Sequence, residues 1–233
     1  MTQLILPEVI EHLRVHYGRL SVPRLSGPWE MILWENVAYL ADDERRREAF
    51  QILKKSVGTE PARILSASKD ALLEVTRYGI LADQFAKKLR ACAQIVLEEY
   101  DGDLRPVLKM PFPKAKKALQ KFPGIGEPGA EKIILFTRSY PVLALESNGL
   151  RVLLRLGFGE EDKSYPKTYR IVQQAIDAEL DKDFSKLIEA HLLLRRHGQV
   201  LCKRTKPECI NCPLASACDF YLHGEPQGQI KPT

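Results

Sequence analysis

Four cysteines near the C-terminal end, Cys202, Cys209, Cys212 and Cys218, stand in the order C-x6-C-x2-C-x5-C, and no other feature of the chain limits the fold so sharply. Thiolates this closely spaced must wrap one inorganic centre or pair as disulfides. Iron–sulfur clusters are held by four cysteine thiolates, and a short loop with one C-x2-C step at its middle suits them, so we read a [4Fe–4S] cluster here. Zinc is the runner-up, because its ribbons and fingers supply two separated ligand pairs and no second pair exists. Disulfides come third: a chain of 233 residues with five cysteines, in which we read no export signal, does not need such staples. The fifth cysteine, Cys92, falls at an apolar position of a helical pattern and reads as a small core hydrophobe.

Around the cysteine loop the periodicity is helical. In Ala82 to Tyr100 the residues Phe85, Leu89, Cys92, Val96 and Tyr100 recur at steps of three and four and share one face, while charged residues mostly take the other. Similar segments predict helices at 7–19, 29–41, 44–56, 69–77, 113–122, 128–138, 146–156, 166–180 and 183–197, with Pro, Gly, Ser and Asp at the breaks. No set of alternating strands is legible, so the expected fold class is all-α. A hydrophobic fraction of 45% is ample for a buried core. No stretch has the length of a membrane span, and we expect a soluble, cytoplasmic monomer with a frayed tail after Gly224.

The net charge of +5 is modest, but its distribution is uneven. Arg105, Lys109, Lys114, Lys116, Lys117 and Lys121 follow one another with no acidic residue between them. Arg195, Arg196, Lys203, Arg204 and Lys206 do the same on the way into the cysteine loop. Such clusters can track a phosphate backbone, although either one taken alone also suits a solvated face. The segment Phe122-Pro123-Gly124-Ile125-Gly126 places a tight turn between two predicted helices. Gly124 and Gly126 are expected to allow positive φ and a close backbone approach. Pro128 suits the first turn of the second helix, whose free N–H groups, beside Lys121 and its basic neighbours, make a seat for a phosphate.

The chain resembles the endonuclease III superfamily of helix-hairpin-helix DNA glycosylases. F-P-G-I-G is similar to the L-P-G-V-G hairpin of that group, the cysteine spacing is that of its cluster loop, and His197-Gly198 precedes the first cysteine as it does there. The similarity runs from about Pro7 to Tyr221. It implies two helical domains with a catalytic cleft between them: a bundle with the hairpin, 25–142, and a cluster domain made of 1–24 and 143–223, followed by a tail, 224–233. It also implies binding of double-stranded DNA with a damaged, mismatched or abasic site, in the nucleoid. Gly124, Gly126 and Lys121 would hold a phosphate, and Lys203, Arg204 and Lys206 would contact the backbone near the cluster loop.

The catalytic positions depart from the family. Where bifunctional members have R-K-T-A, with a lysine that forms a Schiff base at the sugar, this chain has Glu127-Pro128-Gly129-Ala130, and proline offers no nucleophile. Lys132 lies one turn further on and reads as a surface lysine. Glu146 takes the place of the family's aspartate, its carboxylate displaced by about 1 Å through the extra methylene; its plain role would be to cap the following helix. The segment Pro28 to Val37 resembles the P-Y-x-x-W-L-S-E-V stretch of the adenine glycosylases, which puts Glu35 on their catalytic glutamate. Among Trp34 and Val37 its carboxyl would stay protonated by desolvation and could protonate a leaving base, unless a neighbouring arginine satisfies it. Leu40 occupies the position that fills the gap left by an extruded base. The leading expectation is a monofunctional DNA glycosylase using Glu35 and Glu146. The alternatives are an inert binder of damaged DNA and an abasic-site lyase using another lysine. The sequence stops soon after the cluster loop, so we do not expect recognition of an opposite 8-oxoguanine.

Overall fold

A computed structural model describes residues 4–224 of the chain. The expected tail therefore lies outside the described residues apart from Gly224. Twelve α-helices follow one another: α1 (Leu6–Tyr17), α2 (Pro28–Val37), α3 (Asp43–Ser56), α4 (Pro61–Ser66), α5 (Lys69–Thr76), α6 (Ala82–Tyr100), α7 (Phe112–Leu119), α8 (Glu127–Phe136), α9 (Ser147–Arg155), α10 (Tyr165–Asp177), α11 (Phe184–Val200) and α12 (Asp219–His223). Short 3-10 turns occupy Arg105–Lys109, Cys209–Asn211 and Ala215–Ala217. No strand occurs among the described residues, and the protein is all-α as expected. None of the described helices is long and apolar enough to cross a membrane.

The helix starts follow from local chemistry. Asp42, Ser68 and Asp183 accept hydrogen bonds from the backbone N–H three residues on, at 2.8, 3.1 and 3.0 Å, and so begin α3, α5 and α11. Proline stands in the first turn of α1, α2, α4, α7, α8 and α10, where a missing N–H costs nothing. Of the expected stripe of α6, Phe85, Leu89, Cys92 and Val96 are buried and Tyr100 is half-buried.

The chain divides into two compact units. One is 23–140, and the other joins the residues up to 22 with those from 141 onward. In the first unit α2 is the central helix. Met31 and Ile32 pack into one apolar cluster with Cys92, Val96, Leu119, Phe122 and Ile133, while Leu33, Trp34 and Val37 pack into another with Phe50, Leu53, Ile64 and Leu72. A helix apolar nearly all round is a buried one, and any polar side chain on it must find partners within the unit. In the second unit α1 and α9 both pack on α11. Gly198 on α11 makes the second of these contacts possible, since a Cβ there would stand 2.6 Å from Asn148 Cβ and 2.7 Å from the Asn148 carbonyl oxygen.

Candidate functional site

The hairpin between α7 and α8 is held from beneath by α2 and α6. Gly124 has φ +86°, and a Cβ on it would lie 2.4 Å from Oδ1 of the buried Asn36, so both its handedness and its lack of a side chain are used. Gly126 differs from expectation: it is extended, φ −84°, and serves as the residue before α8. The Cys92 thiol donates to the Pro123 carbonyl at 3.5 Å, and Asn36 donates through Nδ2 to Ile32 O at 3.0 Å. Burial pushes the Cys92 thiol up to about 12, which makes it an inert core group, as expected. The lysines around the hairpin are partly engaged. Lys116 bridges Glu127 and Glu131 on α8, at 2.7 and 3.1 Å, and Lys121 pairs with Glu99, whereas Lys114 and Lys117 are exposed.

Lys132 is not a surface lysine. It is 8% exposed, and its Nζ lies 2.6 Å from Glu35 Oε1. Arg46, on α3, approaches the other carboxylate oxygen at 4.0 Å and donates to Ala38 O at 3.4 Å. Trp34 and Val37 flank Glu35, and its carboxylate faces two cations, Lys132 and Arg46. The reason for the misreading is geometric. A lysine four residues after Pro128 lies on the same face of α8, and that face turns toward α2, which a single helix pattern does not reveal.

Leu40 stands on a loop that the structure pairs with another. Ile80 N donates to Tyr39 O at 3.0 Å, Tyr39 stacks on Phe85 with ring centroids 4.5 Å apart, and a Cβ on Gly79 would meet Tyr39 N at 2.3 Å. Two leucines stand at the tips with left-handed backbone: Leu40 at φ +54° and 70% exposed, Leu81 at φ +57° and 50% exposed. Ile80, between them in exposure, adds to the apolar tip. Apolar side chains held out on left-handed backbone are uncommon. Sequence reading missed Ile80 and Leu81; the signal available was the pair of aliphatic residues after the Tyr78-Gly79 turn.

In the second unit Glu146 caps α9. Its Oε1 accepts from the N–H groups of Asn148 and Gly149 at 3.0 and 3.2 Å, and its Oε2 accepts from Asn148 Nδ2 at 2.9 Å. The capping role anticipated for it is therefore real, and three N–H donors fix the direction of the carboxylate. From Asn148 the bonding continues: Arg151 donates to Asn148 Oδ1 at 2.8 Å, to Gly198 O at 2.8 Å and to Cys202 O at 2.9 Å. Arg155 binds the next part of the loop, through Lys203 O at 2.8 Å and Cys202 Sγ at 3.3 Å. Two arginines of one helix thus anchor the arm that bears the exposed Lys203, Arg204 and Lys206, with Lys203 paired to Glu208.

Among the described residues no group of three His, Cys, Asp or Glu side chains converges on a single metal ion. Yet Cys202, Cys209, Cys212 and Cys218 all line one hollow, with Val152, Leu156, Leu201 and Leu214, whose atom-free space including its open mouth is about 370 Å³. No disulfide joins them. Four cysteine sulfurs around one common hollow are a donor set that fits a [4Fe–4S] cluster. The donors aimed at them also suit thiolates: Leu214 N lies 3.4 Å from Cys212 Sγ, beside the Arg155 contact to Cys202. His197, buried on α11, lies with Nε2 3.5 Å from Cys212 Sγ and Nδ1 2.9 Å from the Tyr17 hydroxyl. Burial, then the charge of His16, brings its ring down to about 4 and keeps it neutral at ordinary pH.

With this geometry in place the comparison with solved structures is decisive for the fold. A trapped endonuclease III–DNA covalent intermediate superposes with a TM-score of 0.72 over 92% of this chain and 96% of the other, at 19% identity. The chain has the endonuclease III fold. Curated relatives agree: it is 28% identical to endonuclease III of Rickettsia conorii over 70% of each chain, and 25% identical to the thymine-DNA glycosylase of Aeropyrum pernix over 91% of this chain and 92% of that one. No protein-family model matches. The resemblance to the endonuclease III superfamily seen in the hairpin and the cysteine spacing is therefore carried by fold and relatives alike.

Proposed function

We propose that the protein is a base-excision DNA glycosylase that hydrolyses the N-glycosidic bond of a damaged or mismatched base without a covalent intermediate. The observation that carries the choice of hydrolysis is the Lys132–Glu35 pair at 2.6 Å. Pro128 offers no amine, and the next amine on that face of α8 is held as an ammonium against a carboxylate, where it is no nucleophile. Glu35 would receive or relay a proton together with Lys132, and Glu146, fixed by its three N–H donors, would stabilise the positive charge that develops on the sugar. The hairpin at Gly124 and Gly126, with Lys121, would seat a backbone phosphate, and Lys203, Arg204 and Lys206 would meet the backbone elsewhere. Leu40, with Leu81 from the paired loop, would fill the stack when the base leaves it. Cys202, Cys209, Cys212 and Cys218 would hold a [4Fe–4S] cluster, which when bound supplies a rigid clamp for the basic loop and a one-electron centre.

The other reading is an abasic-site lyase, for which Lys132 would first have to pass its proton to Glu35; the neutral amine could then attack the aldehyde of an abasic site, losing water to form an iminium. Single-turnover assays on lesion duplexes separate the two. Free base with strand breakage only after alkali supports the hydrolase, provided that Glu35→Gln slows base release. A borohydride-stable adduct that disappears in Lys132→Ala identifies the lyase and overturns the hydrolytic reading. Tight binding with neither product leaves a binder of damaged DNA.

A further inference from the structure

We propose that Arg46 reads the departing base: its guanidinium donates to the carbonyl oxygen that takes up negative charge as the N-glycosidic bond breaks, so the preferred substrates are bases that leave as oxyanions. The inference rests on the reading of the Glu35–Lys132 pair as the site of base hydrolysis, and adds a residue which that reading does not use. Arg46 is the middle of three successive arginines on α3, and it alone turns inward: Arg45 and Arg47 are exposed, whereas Arg46 is 8% exposed. It stands where the buried stripe of Ala49, Phe50 and Leu53 would take an apolar side chain.

The protein makes little use of this guanidinium, which carries donors and no acceptor. Nη2 meets Ala38 O at 3.4 Å, Nη1 stands 4.0 Å from Glu35 Oε2, beyond hydrogen-bond reach, and the buried Nε has no hydrogen-bond partner. Buried donors are nearly always paired, and an arginine that holds one long bond in an apolar stripe costs more than an aliphatic side chain would. What fits it is a ligand with an acceptor. The side chain of Glu35 is 19% exposed against 10% for Arg46, so the ligand arrives past a carboxylate. An anionic phosphate is ill matched to that approach. The neutral carbonyl edge of an extruded base suits it.

As the C1′–N bond breaks, the base keeps its electron pair, spread over the ring nitrogen and the conjugated carbonyl oxygen. A water molecule bonds to C1′ and gives a proton to Glu35, which loses its own charge as that of the base appears; the proton then passes to the base as it leaves. Donors already aimed at the oxygen stabilise this charge more in the transition state than in the ground state, where the base is neutral. A pyrimidine-2,4-dione, of which uracil and thymine are examples, has such an oxygen beside the glycosidic nitrogen. Adenine has none.

The test uses the full chain and single-turnover base release from duplexes that hold uracil, 5-fluorouracil or adenine. The fluorine makes the base a better anion and so less dependent on a donor. The wild type is expected to release uracil faster than adenine. Arg46→Met, whose side chain keeps the stripe filled, should slow release of uracil about 30-fold, as expected for loss of one hydrogen bond to a charged acceptor, and release of 5-fluorouracil by under about tenfold. Arg46→Lys keeps a donor and should recover part of the uracil rate; the two bases are compared in it should Arg46→Met fail to fold. Equal slowing of uracil and 5-fluorouracil, which is what lost packing would give, overturns the proposal. So does unslowed release of uracil, or a wild type that releases adenine alone. A wild type that releases no base overturns the glycosylase reading itself, and this proposal falls with it.

Discussion

Gly124 shows how much one hydrogen atom in place of a methyl can decide. Its φ of +86° disfavours any L side chain, and the position of Asn36 Oδ1 leaves no room for one. Gly124→Ala should lower unfolding stability by about 2 kcal/mol, measured by urea denaturation, and weaken duplex binding with it. Adding Asn36→Ala should recover the part due to collision and leave the part due to φ. The Lys132–Glu35 pair sets a second expectation at this scale. With side chains only 9% and 19% exposed, removal of one charge should cost about 3 kcal/mol, whereas Lys132→Met with Glu35→Gln should cost less than the two single changes summed. Additive costs in that cycle would mean that the two groups are neighbours without being coupled.

At the scale of elements, the contact of α9 with α11 governs both the carboxylate at the head of α9 and the arginines that anchor the cysteine loop. Gly198→Ala places a methyl 2.6 Å from Asn148 Cβ and 2.7 Å from a backbone oxygen, neither of which can yield alone, and should cost about 3 kcal/mol with loss of iron retention. Gly149→Ala on the same seam meets Leu194 Cβ at 3.4 Å and should be near neutral, since the helix gain of alanine offsets mild crowding. Thermal unfolding of the two variants tests the distinction. The helices themselves were legible wherever an apolar stripe ran long enough to repeat, as in α6 through Phe85, Leu89, Cys92 and Val96. The six residues of α4 and the five of α12 are too short to show a period. Leu40 could be placed from its neighbours in sequence, but Leu81 and Ile80 become a tip only because Gly79 lets their loop close on Tyr39. Lys132 was misread for a related reason: its partner Glu35 stands 97 residues away, and no local pattern holds that distance.

At the scale of the whole molecule, 35 basic against 30 acidic residues leave little general attraction for DNA, so affinity must come from where the charge is exposed. Many of the cations are already engaged within the protein. Lys116 is shared by two glutamates, and Lys121 and Lys203 each have an exposed carboxylate partner from which a phosphate can displace them. Arg204 and Lys206 lie exposed on the arm that Arg155 and Arg151 fix. Their contribution should be of the backbone kind: Arg204→Ala and Lys206→Ala should weaken binding equally for damaged and undamaged duplexes, and each should reduce the slope of log affinity against log salt by about 1. Leu40→Ala should behave in the opposite manner, leaving the salt slope unchanged while reducing the preference for a duplex with an abasic analogue over an intact one. Fluorescence anisotropy titrations at several salt concentrations measure both quantities. If Leu40→Ala instead altered the slope, or the basic variants altered the preference, the division of labour between the cysteine-loop arm and the apolar tips would not hold, because a side chain without charge releases no counterions and a phosphate contact carries no information about the base.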